Sequence, residues 1–154
     1  MSLNQDTHAT TTSIAGRYMV TMHRVLAYAE QIGAAIALAI VDDGGNLVGF
    51  IRHEDARLIS CTTAIGKARC AVLFARDSSE TVNIAETNPL AFQSFSSASN
   101  EDVTFVIGDG GYFIKGRTAT IGAGVAGATG ELDHKVGEYL KEELSLLLET
   151  KQGD

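Results

Sequence analysis

Between Ser13 and Ile32, apolar side chains return at helical spacing: Ile14, Tyr18, Met22, Val25, Leu26 and Ala29. The pattern predicts an amphipathic helix that stops at Gly33, a residue able to take the left-handed conformation at a helix end. From Ala35 to Val41 both alternating faces are apolar, the mark of a buried strand. Asp43-Gly44-Gly45-Asn46 supplies a turn, and Leu47–Arg52 returns as the second strand of a β-hairpin. Helical spacing resumes over Ile59–Arg76, where Ala64, Ala68, Ala71 and Ala75 form a row of small side chains suited to close packing. A short helix follows from Ser78 to Asn88, with Asp77 or Ser78 as its cap. Asn88-Pro89 ends it, because the residue before proline disfavours helix.

The serine-rich stretch from Gln93 to Asn100 reads as a polar loop, pinned to the body by Phe92 and Phe95. Val103–Ile107 and Gly111–Lys115 flank Gly108-Asp109-Gly110, a second hairpin signal. Arg117–Ala123 forms a further strand after Gly116. The last helix runs from Glu131 to about Leu148 and buries Leu132, Val136, Tyr139, Leu140, Leu144 and Leu147. Hairpins dominate this order. The fold class is therefore α/β of the α+β kind, a mostly antiparallel sheet of about five strands with helices on its faces.

Composition narrows the setting. With 154 residues, 45% of them hydrophobic and 20% charged, the chain suits one soluble domain over residues 13–150. Residues 1–12 are polar and Thr-rich, which predicts a flexible arm. They lack the basic start and apolar core of a secretory signal, so the expected location is cytoplasmic. No apolar run approaches the length of a membrane span. A net charge of −7 excludes nucleic acid as the natural partner. Arg52, His53, Arg57, Lys67, Arg69 and Arg76 nevertheless gather basic character locally, which suits a small anion. Cys61 and Cys70 fall on opposite sides of the second helix, about 180° apart. They read as reduced structural thiols; Cys61, near the helix start, is the better candidate for a reactive thiolate.

The combination of Val41-Asp42-Asp43-Gly44-Gly45-Asn46-Leu47-Val48-Gly49-Phe50-Ile51-Arg52, then Asp55-Ala56, Ser60 and Lys67-Ala68, then Gly110-Gly111, Gly116, Gly122 to Gly130 and Asp133, resembles the GlcG/HbpS family. The resemblance spans about Ser13 to Leu148. It implies a profilin-like three-layer α/β/α domain and a homo-oligomer, with haem or a corrinoid as ligand in some members. The chain departs from the family pattern at His53 (commonly Met), Tyr112 (commonly Pro) and Ala126 (commonly Ser).

The candidate site lies between Arg52–Arg57, Lys67 and the segment Gly124–Glu131. Arg52, Asp55, Arg57, Lys67, Gly124, Gly127 and Asp133 are its ligand-binding candidates. A guanidinium can grip a carboxylate with two parallel hydrogen bonds, and a lysine on a small-residue helix can reach into a cleft. The rival reading pairs Arg52 or Lys67 with Asp42, Glu54 or Asp55. His53, Lys67 and Glu131 are the candidates for proton chemistry or, for Lys67, an imine. The rival reading of His53 is an exposed polar cluster. His23 could ligate haem iron or stand at a surface or subunit contact; no histidine pair has metal-site spacing. His8 falls in the arm, and His134 in the first exposed turn of the last helix. Gly122, Gly124 and Gly127 spell the dinucleotide fingerprint, but the helix opens too late for it. Close backbone packing or an anion at a helix N-terminus are the other readings.

Three functions follow. The first is binding of a tetrapyrrole or similar hydrophobic anion. The second is an enzyme using hydrolase-, deaminase- or isomerase-type proton chemistry on a small carboxylic acid. The third is an oligomeric accessory protein without a ligand. An aromatic content of 6%, without Trp, weighs against a large dedicated haem pocket, and the charged cluster at His53 favours the enzyme.

Overall fold

The computed structural model describes residues 13–98 and 104–149. The expected arm, residues 1–12, and His8 within it lie outside the described residues. Helix α1 (Ile14–Gln31) opens where the Ser13 side chain accepts from Gly16 N at 3.1 Å. After Ile32 the chain turns at Gly33 with φ +79°. Strands β1 (Ala37–Asp42) and β2 (Leu47–Arg52) form the first hairpin. Asp42 organises its turn: one carboxylate oxygen accepts from Gly44 N at 3.0 Å and from Asn46 N at 2.9 Å. These bonds, foremost that from the Asn46 backbone, hold the Asp42 carboxyl below its ordinary pKa.

Helices α2 (Ile59–Phe74), α3 (Ser79–Thr87) and α4 (Pro89–Ala98) follow, then β3 (Gly111–Lys115), β4 (Thr120–Ala126) and α5 (Gly130–Glu149). The sheet order is β2-β1-β4-β3, antiparallel at every pairing. The sheet is sandwiched as expected. Leu38, Ile40, Val125, Ile121 and Tyr112 face α1 and α5, where Met22, Val25, Val136, Leu140 and Leu144 complete the larger core. Ala37, Ala39, Val41 and Ala126 face Ala64 and Ala68 of α2. Burial of these apolar faces, at about 25 cal/mol per Å2, is what holds the layers together.

Four strands, not about five, make up the described sheet. Residues 104–107 pair with no strand, and Val103 lies outside the described residues. Val106 instead donates its N–H to Gly66 O at 3.0 Å and lies over that glycine, so the apolar run covers α2. β4 starts and ends three residues later than the predicted Arg117–Ala123. Ile14, placed in the apolar stripe, is 40% exposed.

The serine-rich stretch is helical rather than a loop. Pro89 stops α3 but also occupies the first position of α4, where its missing N–H costs nothing. Asn88 accepts from Ala91 N at 3.2 Å as the cap, and Ser94 and Ser97 hydroxyls donate back to Leu90 O and Gln93 O, each at 3.0 Å. Phe95 and Phe92 do pin this helix, packing edge-on against Phe74 and Phe105 at 5.8 and 6.0 Å between ring centres. Neither Asp77 nor Ser78 caps α3 through its side chain. Asp77 accepts from Phe113 N at 2.9 Å and from Lys141 Nζ at 2.8 Å, tying β3 to α5. The Ser78 hydroxyl accepts from Gly111 N at 2.8 Å and donates to Gly108 O.

Candidate functional site

The α2 helix lies so close to β3 and β4 that only glycine fits beneath it. A Cβ at Gly111, Gly122 or Gly124 would come within 3.0 Å of a backbone carbonyl of α2, those of Lys67, Ala68 and Ala64 respectively. This closeness carries Lys67 to the end of the sheet, beside Gly110. Its ammonium donates to Val125 O at 3.4 Å and has no carboxylate within 4.0 Å among the described residues. Burial pushes the Lys67 amine below the ordinary lysine pKa, partly opposed by Asp133 and Asp109.

Those two carboxylates are engaged elsewhere. Asp133 accepts from Ala128 N at 2.9 Å, closing the bend between β4 and α5, and Asp109 meets His134 Nδ1 at 2.9 Å. Gly127, with φ +135°, makes that bend against Ala35 O. Gly124 is buried under α2. The dinucleotide reading therefore finds no support: two of its glycines serve packing, and both neighbours of β4 run antiparallel. Glu131 is exposed and pairs with Lys135 at 3.4 Å.

A second group stands where β2 ends. Arg52 and Ala126 flank Ala37 on either side of β1, so their backbones lie about 10 Å apart, two strand spacings. Arg52 takes none of the carboxylate partners considered for it. Its guanidinium donates to Ala56 O at 2.7 Å and Glu54 O at 3.4 Å. His53 is more enclosed than an exposed cluster would make it, its side chain 14% exposed. Its Nδ1 accepts from Asp55 N at 3.0 Å, so a neutral ring carries its proton on Nε2, 3.4 Å from Glu30 Oε1. Asp55 and Arg57 are exposed; the Arg57 guanidinium makes no hydrogen bond or ion pair among the described residues.

The candidate residues thus form two neighbouring groups, Arg52–Arg57 and Lys67 with Asp133, joined by no hydrogen bond or ion pair among the described residues. Asp109 completes the second group and was not legible in sequence, because its partner His134 lies 25 residues away. Apart from both, His23 is exposed on α1, and its imidazole makes no hydrogen bond or ion pair among the described residues. His53 and His134 are both engaged. Cys61 is half-buried, and Cys70 is buried with its thiol pushed up by that burial. No group of three metal-ligating side chains occurs among the described residues, and no described helix is long and apolar enough to cross a membrane.

One antiparallel sheet between an α1/α5 layer and an α2 layer, with polar groups collected at its ends, defines a three-layer α/β/α domain. The chain belongs to the HbpS-like family: the profile described as haem degrading protein HbpS-like matches residues 19–140. Among solved structures it is similar to a double mutant of HbpS from Streptomyces reticuli, at 26% identity over 92% of this chain and 90% of that one, with a TM-score of 0.70. It is also similar in fold to protein ORFY of Klebsiella pneumoniae (20% identity, 94% and 98% covered, TM-score 0.71). A PduOC:haem complex shares the fold at 21% identity, covering 82% of this chain and 91% of that chain, with a TM-score of 0.69. No curated protein matches the chain.

Proposed function

We propose that this protein binds haem or a closely similar tetrapyrrole, with His23 as the iron ligand. The observation that carries the reading is that His23 alone among the described histidines has an unengaged imidazole. A neutral ring of this kind is a haem ligand. Its neighbours one turn away on α1 are apolar, Met19, Val20, Leu26 and Ala27, with Val20 57% exposed. Such a surface fits one face of a porphyrin, and a second copy of the chain would cover the other. Family membership and the haem held by the PduOC relative support the same reading. When bound, the iron would supply the redox and ligand chemistry. The chain's part is to ligate it and shield it from water.

Titration with hemin should give a Soret band with a saturable end point. His23→Ala should weaken binding by more than roughly tenfold, as losses around a metal ligand generally do. Native mass spectrometry of the same samples reports whether the haem-loaded form is a homo-oligomer. A wild type with no Soret change, or a His23→Ala variant with an unaltered one, would sink the proposal.

Lys67 favours a second reading, an enzyme acting on a small carbonyl-bearing acid through an imine. A half-buried amine without a salt bridge is the form of lysine that reacts at moderate pH. Because its pKa is lowered, the amine loses its proton below the range where exposed lysines do. Trapping with glyoxylate and cyanoborohydride at mildly alkaline pH should therefore label Lys67 ahead of the other lysines, as read by peptide mass mapping. Labelling spread evenly over the lysines would remove this reading.

A further inference from the structure

At the end of the sheet opposite Lys67, an open cleft of about 320 Å3 lies between the first turn of α1, β2 and the approach to β4. Ile14, Val48 and Ile121 give it apolar walls, and Ile14 and Val48 are 40% and 36% exposed because the cleft leaves them uncovered. Tyr18 forms the floor. It is only 3% exposed, yet its hydroxyl has no hydrogen-bond partner among the described residues. The one fully enclosed side-chain polar atom without a partner among them is the Tyr112 hydroxyl, so the Tyr18 hydroxyl is not fully enclosed, and Tyr18 lines the cleft. A hydroxyl with no partner in the protein is free to bond a ligand oxygen.

Arg17 stands on the rim. Its guanidinium makes a single long bond among the described residues, to Leu147 O at 3.4 Å, and no ion pair with the nearby Asp42. Asp42 also lines the cleft, but its carboxylate is taken up by Gly44 and Asn46 of the hairpin turn. The unused capacity is thus one cation and one hydroxyl at the edge of an apolar slot. The volume is near the lower end of small-molecule sites, roughly 300 to 1,000 Å3, which suits a single ring or short chain rather than a tetrapyrrole. His23 is turned about 140° from Tyr18 around α1, so this site is separate from the proposed iron ligand.

We propose that this cleft binds a small amphipathic carboxylate, its ring or alkyl chain against Ile14, Val48 and Ile121 and its carboxylate between the Arg17 guanidinium and the Tyr18 hydroxyl. The two donors distinguish an acid from an apolar molecule of the same size, because only an acid satisfies both.

The test is an amide-resolved NMR titration of the full chain with 3-phenylpropionate, and with 3-phenylpropan-1-ol as the uncharged counterpart. The acid should shift Ile14, Val48 and Ile121 amides saturably. The alcohol should bind about tenfold more weakly, and Arg17→Gln and Tyr18→Phe should each weaken the acid about tenfold, one charged or buried hydrogen bond apiece. Val48→Trp, at an exposed position of an edge strand, should fill the slot and abolish binding while the circular dichroism spectrum stays that of the wild type. Shifts that never saturate, that map to another surface, or that survive Arg17→Gln and Tyr18→Phe unchanged would overturn the proposal.

Discussion

Gly124→Ala should destabilise the protein by about 3 kcal/mol or more, a melting temperature roughly 10 °C lower, seen in urea and thermal unfolding. The added Cβ would fall within 3.0 Å of the Ala64 carbonyl. Its other close neighbours, Ala64 C and Ala68 N, are also backbone. No rotamer can relieve such a clash, so α2 must lift from the sheet and drag Ala64 and Ala68 out of their packing. Gly130→Ala is the control, because nothing lies within 4 Å of a Cβ there. A loss below about 1 kcal/mol at Gly124 would show that α2 is not seated as described.

The second large effect is a coupled one. The Tyr112 hydroxyl is sealed between β3 and α5 without a hydrogen bond among the described residues, and its burial, beside Asp109, Glu138, Asp77 and Asp133, holds its pKa far above the ordinary tyrosine value. Tyr112→Phe should therefore stabilise the protein by about 1 kcal/mol, because it removes an orphaned polar group and leaves the ring in place. Gly137→Ala should do the opposite. Alanine gains roughly 1 kcal/mol over glycine within a helix, but the Cβ here would lie within 3.0 Å of the Tyr112 hydroxyl and ring edge. A net loss of about 2 kcal/mol is expected. In the double variant part of it should return, a coupling of about 1 kcal/mol between positions 112 and 137. Strictly additive changes would show that the two residues do not press on each other.

Much of the layer architecture was legible because it follows from period alone. The 3.6-residue spacing in α1 and α5 and the Gly-Gly turn between β1 and β2 require no distant partner to be read, and β2 fell on the expected residues. The errors lie where tertiary contacts decide. Val106 has the look of a strand residue, but its backbone goes to Gly66 of α2. The serines of α4 look like loop residues, but Phe95 and Phe92 dock this helix on Phe74 and Phe105. The candidate site was half legible for the same reason. Lys67 and Asp133 stood out by residue type and position, whereas Asp109 acquires a partner only once α5 is folded back over the sheet. Tyr18 was read as part of an apolar stripe, which its ring satisfies; only the missing partner of its hydroxyl marks it out.

The two faces of the sheet also set different terms for how this fold can diverge. Across the α1/α5 layer, contact is made by large side chains, and one can shrink as its neighbour grows. Beneath α2, at Gly111, Gly122 and Gly124, the closest contact is with the main chain of the helix, beside small alanines from both sides. A lineage descending from this sequence can rewrite the first surface by compensated steps. At Gly111, Gly122 and Gly124 it has no such path, so these three positions stay fixed for as long as α2 keeps its seat on the sheet.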